Sequence, residues 1–147
     1  MTPDLRLEIS VQKQEIRFGE PCLISVRLSN VGKKPQLVNR RMAVGYRDNL
    51  SREIFADLID AETGQPARID AVDYNRNFSL ASDYIYLNPD ESISTSFDLL
   101  EWYPPVEGGT FKLVVYYQAD EPLATAAPPN VVSGIIKSNQ VVLTITK

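Results

Sequence analysis

Apolar side chains recur at every second position along most of this chain, and that period restricts the fold more than any other property of the sequence. Leu5, Leu7, Ile9 and Val11 alternate with Arg6, Glu8, Ser10 and Gln12, and Cys22, Ile24, Val26 and Leu28 alternate with Leu23, Ser25, Arg27 and Ser29. Successive side chains of an extended strand point to opposite faces, so this pattern produces one apolar and one polar face, as a half-buried antiparallel strand requires. Strands are therefore expected over 5–13 and 22–29. Phe18-Gly19-Glu20-Pro21 forms the turn between them, and Gly32 and Pro35 mark the next reversal.

The same reading continues to the C-terminus. A less regular strand is expected over 36–46, followed by a polar loop at 47–51. Residues 53–60 fit a strand through Ile54, Ala56 and Leu58 and a helical face through Phe55, Leu58 and Ile59. The run is too short for a self-sufficient helix, and the turn sequence from Asp60 to Pro66 behind it favours a hairpin leading into 67–69. Short runs at 84–87 and at Ile93, Thr95, Phe97 and Leu99 flank the turn Asn88-Pro89-Asp90-Glu91. Residues 102–109 read as a loop, Phe111, Leu113, Val115 and Tyr117 as a strong strand, and 119–133 as a long loop rich in Pro and Ala. Val141, Leu143 and Ile145 face inward from the last strand. The expected fold is all-β: one immunoglobulin-like antiparallel β-sandwich of about seven to nine strands spanning residues 1–147.

Five segments carry a family resemblance in chain order: Phe18-Gly19-Glu20-Pro21, Val26-Arg27-Leu28-Ser29-Asn30-Val31-Gly32, Leu87-Asn88-Pro89-Asp90-Glu91-Ser92, Gly109-Thr110-Phe111 and Ser138-Asn139-Gln140-Val141. Together with Ile54-Phe55, Thr63-Gly64 and Asp83-Tyr84, this set resembles the non-catalytic accessory sandwich of aspzincin-type (deuterolysin-like) metalloendopeptidases. More loosely, it is similar to intracellular proteinase inhibitors of the BsuPI type. The resemblance implies a bacterial accessory domain without the zinc domain that carries peptidase activity. Its motifs are turn and strand chemistry, which specify architecture better than function.

Composition narrows the chemistry. The 147 residues contain no histidine, which removes Ser-His-Asp and Cys-His nucleophiles and HExxH zinc hydrolysis. The single cysteine, Cys22, allows no intrachain disulfide. A net charge of -4 opposes nucleic-acid binding, and no run approaches the about 18 apolar residues of a membrane-inserted helix. Basic residues dominate 1–52 and acidic ones 53–147, an asymmetry that interleaved strands turn into cross-strand pairing. With Met1 as the native start, the chain is expected to be cytoplasmic; with a signal peptide removed ahead of it, exported.

Short motifs lead to no enzyme. Ser10 and Lys13 match S-x-x-K, but three positions apart on a strand they face opposite ways. Asp73-Tyr74-Asn75-Arg76-Asn77 opens like a calcium loop, then has Phe78 and Tyr84 where that loop needs Gly and Glu. Asp90-Glu91 and Asp120-Glu121 belong to turns, and Asn49-Leu50-Ser51 and Asn77-Phe78-Ser79 are sequons of the kind chance supplies. No catalytic residue, metal or cofactor is assigned.

Partner contacts are the better expectation. Trp102, Tyr103, Pro104 and Pro105 place aromatic rings on a proline-stiffened loop, a usual anchor for a protein partner, although a large ring there also closes a sandwich core. Arg40 and Arg41, with Arg47 and Arg52, offer a basic group, and Pro122 and Leu123 lie in the long loop. The function expected is a non-enzymatic protein-interaction or accessory module. The alternative is a proteinase inhibitor that offers the 119–133 loop to a protease cleft. Open sheet edges also allow edge-strand pairing, including a homodimer.

Overall fold

The computed structural model describes residues 4–47, 52–70, 80–120 and 127–147. Among these residues nine strands form: β1 (Leu5–Val11), β2 (Glu15–Arg17), β3 (Leu23–Asn30), β4 (Gln36–Asn39), β5 (Ile54–Asp60), β6 (Tyr84–Leu87), β7 (Ser92–Asp98), β8 (Gly109–Tyr117) and β9 (Ile136–Thr146). They make a three-stranded sheet in the order β1-β3-β7, a four-stranded sheet in the order β2-β9-β8-β5, and a two-stranded ribbon β4-β6. The architecture is an immunoglobulin-like β-sandwich.

The period-two pattern explains the core. Leu5, Leu7 and Ile9 of β1, Ile24, Val26 and Leu28 of β3, and Leu113, Val115 and Tyr117 of β8 are buried, and they pack with Leu143 and Ile145 of β9 in one apolar cluster. Each such aliphatic side chain removed from water contributes about 1.5–3 kcal/mol before ordering entropy is counted. In the β1–β3 register the exposed partners also align, with Glu8 opposite Arg27 and Ser10 opposite Ser25.

Several expected boundaries shift. The strand expected over 36–46 ends at Asn39, where the Asn39 side-chain oxygen accepts the Arg41 N–H (2.8 Å) and Met42 takes a positive φ of 48°. In place of a strand over 67–69 there are only isolated bridges, Pro66 with Ile59 and Ile69 with Pro105. The 102–109 loop begins inside a one-turn helix, α1 (Leu99–Trp102), because Asp98 accepts the Leu100 N–H (3.1 Å) and caps it. The same carboxylate oxygen accepts the Cys22 N–H (3.0 Å), tying the helix to the start of β3.

Phe55 departs from the alternation. It points away from Ile54 and Ala56 yet is fully buried, because Tyr116 stacks on it at 5.1 Å and the Arg52 guanidinium covers it at 4.3 Å. Parallel pairing is the remaining departure: β2 pairs in parallel with β9 and Val44 bridges Ile54 in parallel, whereas the other strand pairs are antiparallel. The chain thus crosses from one sheet to the other between β1 and β2.

That crossing is pinned by one side chain. The Asn139 amide accepts the Ile9 N–H (2.8 Å) and donates to the Ile9 carbonyl (3.1 Å), pairing with β1 as a neighbouring strand would. An Asn139→Ala substitution is expected to lower unfolding free energy by about 1–2 kcal/mol, measured by urea denaturation, with little change in the denaturant slope.

Candidate functional site

Several buried polar side chains at the ends and edges of the sandwich are spent on the fold. Glu53, fully buried, receives a forked pair of hydrogen bonds from Arg41, Nε to Oε1 at 2.7 Å and Nη2 to Oε2 at 2.6 Å, and its Oε1 also accepts the Ala43 N–H (2.9 Å). A buried carboxylate requires such pairing. Arg52 donates to the Gln118 side chain (2.9 Å) and the Arg47 carbonyl (3.0 Å). Arg47 pairs with Asp57 at 2.9 Å and lies over the Phe55 ring at 4.6 Å; the hydrogen bond to Asp57 raises its pKa. Two basic residues of the first part of the chain thereby meet acidic residues of the second.

The expected anchors are distributed differently. Trp102 and Tyr103 are buried, with Tyr46 packed edge-on against both rings. Pro105 is buried and Pro104 half-buried, so this cluster presents little area to a partner and instead closes the core. The Tyr103 hydroxyl donates to the Gly45 carbonyl and accepts the Ala56 N–H (3.1 Å), which fixes the edge of β5. Arg41 is committed to Glu53, while Arg40 is exposed with its backbone N–H on the Asp83 carbonyl (2.7 Å). Arg41 and Trp102 line one open cleft with Met42 to Val44 and Thr95 to Asp98, but Arg40, Tyr103, Pro104 and Pro105 are not among its walls. Pro122, Leu123, both sequons and the 73–77 segment lie outside the described residues.

Carboxylates and thiol follow suit. Glu91 accepts the Asn88 N–H (2.7 Å) within its turn, and Asp90 has a φ of 68°. Lys13 sits 3.7 Å from Glu20, not beside Ser10. Among the described residues there is no group of three or more Cys, Asp or Glu suited to a metal ion, and no helix long and apolar enough to cross a membrane. Cys22 is fully buried, and burial, reinforced by nearby Asp98, pushes its thiol up to about 11.

An open cleft of about 870 Å³ lies where β3 hands over to β4. Asp4, Val31, Lys33, Lys34 and Gln36 line one part and Asn130 to Ser133 the other. Its walls depend on Asn30, which is 1% exposed. The Asn30 amide donates to the Lys34 and Leu87 carbonyls (2.8 Å each) and accepts the Gly32 N–H (2.9 Å), while its backbone N–H donates to Glu91 (3.0 Å). Gly32 is required beside it, because a Cβ there would collide with the Asp4 side chain. The opposite wall is held by the Val132 N–H on the Leu37 carbonyl (2.9 Å) and by Asn130, which donates to the hydroxyl of Tyr86 (2.9 Å). Tyr86 is 58% exposed and Val31 51%. The short run that carries Tyr86 was readable in the sequence; its proximity to Asn130, distant in the chain, was not.

No family model matches the sequence, and no curated protein matches it. Among solved structures the chain is similar to the CARDB domain of a Pyrococcus furiosus protein in complex with di-metal ions, at 13% identity and a TM-score of 0.48, over 98% of this chain and 94% of that one. It is also similar to AvmM, which catalyses macrocyclization in alchivemycin A biosynthesis, at 12% identity and a TM-score of 0.47, over 99% and 90%. Neither relation to aspzincin-type accessory domains nor to BsuPI-type inhibitors is carried by these likenesses, and neither neighbour's metal or chemistry transfers to this chain.

Three outcomes follow from these buried groups. Asn30→Ala strips partners from two carbonyls and one N–H and is expected to cost about 2–4 kcal/mol in urea unfolding. Burial raises Tyr103 from 10.0 to about 12, as it raises Cys22 from 9.0 to about 11. Both groups favour their protonated forms when folded, so their stabilising contribution is complete below the unfolded pKa and lost as pH rises through the folded one. The urea midpoint is expected to fall between pH 9 and 12, and Cys22 to resist alkylation at pH 8 until the protein unfolds.

Proposed function

We propose that this chain is a non-catalytic accessory module that binds a protein partner through the cleft between the β3–β4 turn and residues 130–133. The observation that carries this reading is the contrast in how side chains are used. The half-buried Arg41, the buried Glu53 and Arg52 and the buried hydroxyl of Tyr103 are engaged within the fold. The cleft, in contrast, exposes Val31 beside Lys33 and Lys34 on a scaffold fixed by Asn30, and exposed Tyr86 adjoins it through the hydrogen bond from Asn130 of its wall. A tyrosine on a rigid support gives large contact area at little entropic cost, and two lysines at the rim favour an acidic partner surface. The sequence resemblance to peptidase accessory sandwiches supports the same class. No observation favours the proteinase-inhibitor alternative, whose central loop residues 121–126 lie outside the described ones.

Affinity capture from the source organism tests the reading. A partner retained by the wild-type chain is expected to be lost with Tyr86→Ala and weakened, with stronger salt dependence removed, by Lys33→Glu with Lys34→Glu. These positions are exposed, so thermal melting is expected to change by no more than about 0.5 kcal/mol equivalent. Capture unaffected by either change, or turnover of a substrate by the purified chain, would sink the proposal.

A further inference from the structure

Strand β5 is the end strand of its sheet, paired with β8 on one side only. The Gln118 N–H donates to the Glu53 carbonyl (2.8 Å) and the Ala61 N–H to the Thr110 carbonyl (2.9 Å), at either end of this ladder. Antiparallel bonds alternate along a strand, so Phe55, Asp57 and Ile59 carry the ladder to β8. The N–H and C=O groups of Ile54, Ala56, Leu58 and Asp60 therefore face the free edge, where they need other partners.

All but two of these groups are met. The Ile54 N–H donates to the Ala43 carbonyl and the Ile54 carbonyl accepts the Gly45 N–H (2.9 Å each). The Asp60 N–H donates to the Gln65 carbonyl and the Asp60 carbonyl accepts the Gly64 N–H (2.9 Å each). The Tyr103 hydroxyl accepts the Ala56 N–H (3.1 Å), and the Ala67 N–H donates to the Leu58 carbonyl (2.8 Å). The Ala56 C=O and the Leu58 N–H, side by side on the edge, have no hydrogen-bond partner among the described residues. Both residues are buried, 6% and 5% exposed, so this donor and acceptor form a matched, unmet pair.

The pair lies at a cavity. The register of the Ile59–Pro66 bridge would set Ile69 opposite Ala56, but the Tyr103 hydroxyl already occupies the Ala56 N–H, and residues 68–70 bond to Pro104 and Val106 instead. The two stretches part after the Ala67–Leu58 bond and leave a space of about 430 Å³ lined by Ala56, Leu58, Pro66, Ala67, Ile69 and Tyr103. That volume lies in the range of small-molecule sites, and these walls are mainly apolar. Arg47 and Asp57, the charged residues that border it, pair with each other at 2.9 Å.

We propose that this cavity binds an uncharged N-acylated amino-acid derivative with an apolar side chain. A C=O and the N–H two residues further on are what a strand offers to one residue of a parallel neighbour, whose own N–H and C=O meet both. The ligand N–H donates to the Ala56 carbonyl, the ligand C=O accepts the Leu58 N–H, and the side chain packs against Pro66, Ala67 and Ile69. The gap is one amino-acid unit long, because Tyr103 closes it at the Ala56 N–H and Ala67 at the Leu58 carbonyl. That length selects a small ligand over a strand of another protein, and the paired charges of Arg47 and Asp57 select an uncharged one.

Titration of the isotope-labelled full chain with N-acetyl-leucine N′-methylamide, followed by NMR, tests the assignment. The Leu58 amide signal is expected to shift saturably, with a dissociation constant of about 1 mM or below, and its hydrogen exchange to slow. Methylating the leucine nitrogen of the probe removes the donor to Ala56 and is expected to weaken binding about tenfold or more. Ala67→Phe fills the cavity and is expected to abolish the shift in a chain that still melts cooperatively; the two probes on the wild type keep the test independent of how that variant folds. A capped, uncharged heptapeptide with the same leucine at its centre is expected to bind no more tightly than the single unit, because Tyr103 and Ala67 block its flanks. No shift of Leu58 at about 10 mM probe, equal binding of the methylated probe, undiminished binding by folded Ala67→Phe, or a more tightly bound heptapeptide overturns the proposal.

Discussion

Backbone groups at the ends of strands must find partners, and in this protein side chains supply them. The Tyr117 hydroxyl both donates to the Asn39 carbonyl (2.8 Å) and accepts the Asn39 N–H (2.9 Å), holding the β4-β6 ribbon against β8. Tyr103 does the same between Gly45 and Ala56, Asn139 at Ile9, and Asn30 among Lys34, Leu87 and Gly32. Each substitutes for a strand that is not there. An unmet buried backbone group costs about 1–3 kcal/mol, so these four residues decide how the three β units fit together.

This use of polar side chains bears on function. Arginines and aromatic rings that might have served as a partner's anchors are consumed by the fold, Arg41 by Glu53 and Trp102 with Tyr103 by the core under α1. Exposed apolar contact area is found at Val31 of the cleft and at Tyr86 beside it.

Legibility tracked the range of the interaction. Alternation is local, so β1, β3, β7, β8 and β9 fall within a few residues of the expected strands, and the turns at Gly32 and Asn88 lie where turn chemistry put them. Three-residue β2 carries only Ile16 as an inward residue, too little for a period to register. Phe55 broke the alternation because its cover, Arg52 and Tyr116, comes from other elements. The helix α1 was hidden because its cap, Asp98, also closes a strand and binds Cys22 across the fold.

The sequence by itself determined the class of fold and excluded imidazole chemistry, because side-chain period and residue type are local facts that need no partner to be read. Tertiary structure alone decided which polar residues are structural and which remain for a partner. Arg40 and Arg41 are adjacent and chemically alike, yet one is exposed and the other is locked onto a buried carboxylate twelve positions on. Asn30 and Asn139 look like ordinary turn and strand residues until the carbonyls they must satisfy are brought beside them. Hydrogen-bond demand is set by what becomes buried together, and that is settled only when the sheets close.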